Sequence, residues 1–99
     1  MNYTVSVRPE AEADLEDAIA WYESRSIGLG TDFVRCIDAA FASIARDPEI
    51  HAKQYREIRR ALVRKFPFGV FYLVHEGTIQ ILAVVHVKRH PSRWKNRSR

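Results

Sequence analysis

One cysteine, Cys36, stands in the 99 residues, so no intramolecular disulfide can form and a reducing compartment is expected. Long apolar runs are missing as well. The longest, Ile79 to Val87, is interrupted by Gln80 and His86 and is far too short for a bilayer, so no membrane association is expected. Met1–Val7 lacks a basic segment followed by an apolar run, which gives no sign of a secretory signal, and a cytoplasmic location is expected. No internal repeat or low-complexity tract occurs, and residues 1–99 read as one domain. Acidic residues are nearly absent from the second half. Residues 51–99 hold twelve Arg/Lys against Glu57 and Glu76, a net of +10, whereas residues 1–50 hold four against ten, a net of −6. So lopsided a field favours a macromolecular partner of opposite charge over a merely solvated surface.

What is present is enough for a packed core: 46% of residues are hydrophobic and 11% aromatic. Tyr3 to Arg8 alternates apolar and polar residues, the period of a strand with one buried face. Pro9 suits the first turn of a helix, and Glu10, Glu12 and Asp14 suit the positive end of its dipole. Ala11, Leu15, Ala18, Ile19 and Tyr22 then recur at helical spacing. Ser26 to Gly30 breaks the pattern. A second helix carries Phe33, Ile37, Ala40, Phe41 and Ile44 on one face and stops at Asp47-Pro48. The outer faces hold Glu10, Glu12, Asp14, Glu16, Asp17 and Glu23, which solvation explains.

Glu49 to Tyr55 has no clear period and reads as a loop. Ile58 to Lys65 reads as a half-exposed strand, Phe66-Pro67 as a turn, and Phe68–His75 and Ile79–Val87 as central strands joined by a hairpin turn at Glu76-Gly77-Thr78. The fold class is therefore α+β in the order β-α-α-β-β-β. A helical hairpin packs on a small, twisted, mainly antiparallel sheet, and a basic tail, 88–99, follows.

Three stretches resemble the ParE/RelE toxin superfamily. Ala13-Asp14-Leu15-Glu16-Asp17-Ala18-Ile19-Ala20-Trp21-Tyr22 is similar to the first-helix signature of ParE-like toxins. Arg60-Ala61-Leu62-Val63-Arg64-Lys65-Phe66-Pro67-Phe68-Gly69-Val70-Phe71-Tyr72 resembles their central strand pair. His86-Val87-Lys88-Arg89-His90-Pro91-Ser92-Arg93-Trp94 resembles their terminal His-x-x-Arg-x-Pro-x-x-Trp element. The resemblance implies the toxin half of a type II toxin–antitoxin pair. ParE-like members act on DNA gyrase; RelE-like members enter the ribosomal A site and cut messenger RNA. Both are neutralised by an antitoxin. Here the expected antitoxin is of ribbon-helix-helix type with an acidic C-terminal segment, and operator DNA is contacted only through it.

Ribonuclease chemistry needs a base for the 2′-hydroxyl proton, an acid for the leaving oxygen and cations for the phosphate. Arginine is too basic to take that proton, which leaves His75, His86, His90 or Lys65. Arg64 and Arg89 stand where the resemblance places functional arginines of the nucleases, with His86 as the candidate partner. The C-terminal Tyr of those nucleases has no equivalent; Trp94 stands in the corresponding stretch, and its indole N–H cannot exchange protons near neutral pH. The reading is therefore the ParE-like branch, with no catalytic residue, cofactor or metal. The expected partner-binding set is Arg59, Arg60, Arg64, Lys65, Arg89, Arg93 and Trp94. Cys36 reads as packing, and His86 as the residue that ties down Pro91–Trp94.

Overall fold

The computed structural model describes residues 3–98. β1 (Thr4–Val7) leads into α1 (Pro9–Arg25) and α2 (Leu29–Arg46). These are followed by β2 (Lys53–Tyr55), β3 (Ile58–Leu62), β4 (Phe68–His75), β5 (Thr78–His86) and a short C-terminal helix, α3 (Ser92–Lys95), that continues as a 3-10 turn over Asn96–Ser98. The five strands lie in the order β1-β5-β4-β3-β2, antiparallel except for the β1–β5 pair. The α+β class and the helical hairpin thus stand as expected. The strand count does not: Lys53–Tyr55 is a strand within a stretch that reads as a loop. Three irregularly paired residues, two of them exposed, are too few to display a period.

Pro9 occupies the first turn of α1, and the chain leaves the sheet there. The hairpin closes through a side chain that looked merely solvated. Glu23 accepts from Gly28 N at 3.0 Å and from Gly30 N at 2.9 Å, satisfying two amides at the start of α2. Gly30 has no room for a side chain, since a Cβ would sit 3.0 Å from Ile19 O on α1. At the other hairpin turn Glu76 and Gly77 take φ of 49° and 80°, as a two-residue β-turn of primed type requires.

Between α1–α2 and the sheet lie Phe33, Ile37, Ile44, Val70, Tyr72, Ile79, Ile81 and Val84, with Tyr22, Phe66 and Phe68 packed against them. The opposite face carries a second, smaller cluster: Ile58, Phe71, Leu82, Ala83, Val85 and Trp94. A bulge explains how β5 serves both faces. Phe71 pairs with Ala83 but Tyr72 with Ile81, so Leu82 has no partner of its own and the alternation of side chains slips by one. Ile79 and Ile81 face the helices before it; Val84 faces them after it.

The bulged edge is held by one carboxylate. Asp14 Oδ2, on α1, accepts from Val84 N at 3.0 Å and from Arg97 Nη1 at 2.6 Å. The same guanidinium donates to Leu82 O at 3.2 Å, and Arg97 O accepts from Arg8 Nη1. The basic tail is therefore folded structure up to Ser98. Between α2 and β2, Tyr72 donates to Pro48 O at 2.5 Å, and Arg59 Nη1 donates to Glu49 O at 3.0 Å and His51 O at 2.7 Å. These bonds fix the segment that carries β2 as the sheet edge.

Replacing Asp14 by Ala leaves both the Val84 amide and the guanidinium without their acceptor. It should lower unfolding free energy by about 3–5 kcal/mol, and Arg97→Met by a similar amount, because that change leaves the buried Asp14 carboxylate without its cation and the Leu82 carbonyl without its donor. Chemical denaturation reads both, and a loss below about 1 kcal/mol from either would contradict a shared carboxylate. Burial pushes the Tyr72 phenol up to about 12. With a folded value above the unfolded one, its contribution is complete below pH ~10 and is lost as pH rises through ~12. Burial lowers the His51 imidazole, with Arg59 acting in the same sense and Asp47 against it. Its contribution is therefore complete above pH ~6.5 and declines as pH falls through the lower folded value. Stability profiles of Tyr72→Phe and His51→Gln should flatten on the alkaline and acid sides respectively. A His51→Gln profile with the parent's acid limb would remove His51 as its source.

Candidate partner-binding groove

Because β1 ends at Val7, the last half of β5 has no strand on its outer edge, and α1 stands across the gap. The space between them is an open groove of about 600 Å³. Asp14, Asp17, Ala18, Trp21 and Tyr22 of α1 form one wall; Pro67, Phe68, Val84, Val85 and His86 form the floor; Arg89 and Arg93 form the far rim. Tyr22 and Phe68 are tied into an aromatic group with Phe33 and Phe66, their ring centroids 4.8–5.9 Å apart. Trp21 is 52% exposed, edge-on to Tyr22, with the Arg25 guanidinium 4.5 Å from its ring centre.

Charge across the groove is asymmetric. Asp14 is neutralised by Arg97, with side-chain exposures of 9% and 18%, while Arg89 and Arg93 have no carboxylate within 4.0 Å among the described residues. Asp17 is exposed on the opposite wall. Val87 N donates to Pro67 O, which brings the β3–β4 turn alongside the end of β5. Arg64 and Lys65, both exposed in that turn, therefore belong to the same end of the sheet as Lys88 and Arg89. Lys65 takes φ of 69°, which turns the chain tightly at a non-glycine residue.

The seven residues expected to bind a partner thus separate. Arg64, Lys65, Arg89 and Arg93 gather at the basic end. Arg59 does not: its guanidinium is occupied by the Glu49 and His51 carbonyls, and it serves the fold. Arg60 is half-buried, its stem lying across Gly69, where an added Cβ would come within 2.9 Å of Arg60 Cδ. Trp94 is corrected outright. It is 7% exposed and stacks on Phe71 at 4.3 Å and 16°, so its ring is core rather than contact surface. Its neighbours Ser92, Arg93 and Lys95 do not show the apolar partner, because Phe71 lies on β4, far away in sequence.

Of the nuclease set, His86 and Arg89 line the groove and Arg64 does not. His86 Nδ1 accepts from Lys88 N at 3.1 Å, so it shapes its own turn. The residue tying down the Pro91–Trp94 segment is instead His90, whose Nδ1 accepts from Ser92 N at 3.2 Å. His75 lies at the far end of β4, remote from the basic end. Among the described residues no three His, Cys, Asp or Glu side chains gather as a metal site would require. Trp21 and Asp14 were not among the expected site residues. For Trp21 a signal existed: it is a large aromatic one position off the core stripe of α1.

Three solved structures share this architecture. The chromosomal ParDE toxin–antitoxin system of P. aeruginosa superposes with a TM-score of 0.73 at 21% identity, covering 87% of this chain and 97% of that one. A mutant of the E. coli toxin RelE in its free state gives 0.67 at 14% identity, covering 89% and 86%. The M. tuberculosis RelBE2 toxin–antitoxin complex gives 0.59 at 21% identity, covering 87% and 99%. At these identities the likeness establishes the fold. No curated protein sequence matches significantly. The family model of the ParE toxin of the type II toxin–antitoxin system parDE matches residues 5–91, nearly the whole length from β1 to the turn before α3, and the chain belongs to that family.

Proposed function

We propose that this chain is a toxin that inhibits DNA gyrase by protein–protein contact and is neutralised by a cognate antitoxin. The observation that supports it best is the gathering of Arg64, Lys65, Arg89 and Arg93 at one end of the sheet, with no carboxylate within 4.0 Å among the described residues. Exposed cations held on turns and a short helix favour rapid encounter with an acidic macromolecular surface. The antitoxin is of ribbon-helix-helix type with an acidic C-terminal segment and carries the contact with operator DNA. Two of the structural relatives are toxin–antitoxin assemblies, which supports such a partner.

Chemistry at the groove favours binding over RNA cleavage. His86 Nδ1 is engaged as the acceptor of Lys88 N, and in the tautomer that accepts this bond Nε2 is a donor rather than a base. Trp94 is packed on Phe71, and its indole serves as neither acid nor base near neutral pH. A ribosome-dependent endoribonuclease built on Arg64, Arg89 and His86 is the competing reading, favoured only by His86 and Arg89 sharing the groove.

In a supercoiling assay the purified chain should inhibit gyrase and accumulate cleaved DNA, and an excess of antitoxin should restore activity. Arg89→Glu with Arg93→Glu should weaken inhibition by about tenfold or more and reduce its sensitivity to salt. Full supercoiling with no cleaved DNA would refute the gyrase target. New messenger 5′ ends at the A site of translating ribosomes would establish the nuclease reading in its place.

A further inference from the structure

On β3 one leucine faces solvent. Leu62 is 60% exposed, and the alternation of its strand shows which way it points. Ala61 and Val63 belong to the core under the helices, whereas Ile58 belongs to the cluster on the opposite face. Leu62 therefore points away from the helices. Its row continues through Gly69 to Val85, which belongs to that same outer cluster. Val87 N extends the ladder onto Pro67 O, so Val87, 38% exposed, follows Val85 on this face. Gly69 offers no side chain between them, and the Arg60 stem takes the place: an added Cβ would meet Arg60 Cδ at 2.9 Å and Cγ at 3.0 Å. Arg60 thus lies along the sheet toward the β3–β4 turn, and its methylenes join Leu62 to the two valines in one apolar strip. Trp94 seals the middle of this face and leaves that end open. Around the opening stand Arg64 and Lys65 in one turn and Lys88 and Arg89 in the next, all exposed, with no carboxylate within 4.0 Å among the described residues. Apolar residues exposed singly are ordinary, whereas a strip of them rimmed by polar groups marks a contact.

We propose that this end of the outer sheet face grips the target protein, with Leu62 as the apolar anchor and the cations of the two turns as its rim. The inference rests on the gyrase reading above and names the face that makes the contact, which is separate from the groove walled by α1. Two properties set the occupant. The unmatched cations call for an acidic surface. The exposed side chains are aliphatic, which suits a protein rather than unpaired nucleotides, whose bases stack on aromatic rings. The rings of this face are already engaged. Phe71 stacks on Trp94 at 4.3 Å, and Tyr55 has the Lys95 ammonium at 4.5 Å and the Arg56 guanidinium at 5.2 Å from its centre. The partner is therefore a protein surface that carries carboxylates around an apolar centre.

The test uses the full chain and the intact gyrase holoenzyme, with supercoiling inhibition and direct binding measured in the presence and absence of DNA. Leu62→Glu should weaken both inhibition and DNA-free binding by about tenfold or more. Leu62→Thr, which suits an exposed strand position, should weaken both in the same direction, and Leu62→Ile, which keeps the apolar bulk, should weaken them least of the three. Ile27→Ser, at a 96% exposed position on the tip of the helical hairpin, should leave both unchanged. Thermal denaturation of the Leu62 variants should match that of the parent, which separates a lost contact from a lost fold. Folded Leu62→Glu or Leu62→Thr chains that bind and inhibit as the parent does overturn the face and leave the gyrase reading standing. Binding that requires DNA and is indifferent to Leu62 overturns it in favour of a nucleic-acid contact. An unaltered chain that neither binds nor inhibits gyrase refutes the gyrase reading together with the face built on it.

Discussion

Everything distinctive about this molecule turns on a strand that stops early. Pro9 cannot donate to a ladder and its fixed φ starts a helix, so β1 ends at Val7 while β5 continues to His86. A sheet edge at that depth would hold unmatched backbone groups against the hydrophobic face of α1, and each such group costs about 1–3 kcal/mol. Asp14 resolves this by standing in for the missing strand at Val84, and Arg97 does the same at Leu82. Their mutual ion pair keeps either charge from being buried alone. The groove is the space left once those two side chains have been placed, and its depth follows from their being shorter than a strand.

The charge count along the sequence overstates the field the fold presents. Part of the acid in the first half is consumed internally: Glu23 closes the hairpin and Asp14 holds β5. Part of the base in the second half is consumed likewise, Arg59 on two carbonyls, Arg97 on Asp14 and Lys53 on Glu57. What is left is more localised than a difference between halves suggests. It concentrates where the β3–β4 turn meets the turn after β5, and that concentration, rather than net charge, gives the surface a direction.

Helices and central strands were legible because each has a period long enough to read. β2 was not, since its existence depends on Tyr72 and Arg59 holding the chain before it, contacts of 24 and 8–10 residues' separation. The apolar residues on both parities of β5 pointed correctly to two covered faces. They could not reveal the slip at Leu82, because a bulge is a property of the pairing and not of either strand alone. Arg89 and Arg93 line the groove. Arg97 and Trp94 could not be separated from them, being equally basic or equally set among polar neighbours, until their partners on α1 and β4 were in view.

Trp94 then has a consequence for how the two ends of the chain cooperate. By stacking on Phe71 it anchors α3 over the second core, and Arg97, three residues on, reaches past the sheet edge to Asp14 on the opposite side. The C-terminal segment thus clasps β5 from both faces, and Arg93, between the two anchors His90 and Trp94, is held on the groove's rim by that clasp. Loosening Trp94 or Arg97 therefore alters the groove at a distance, through the position of Arg93. Loss of activity on changing either residue signals a displaced rim, whereas loss on changing Arg93 itself, with stability intact, signals a contact.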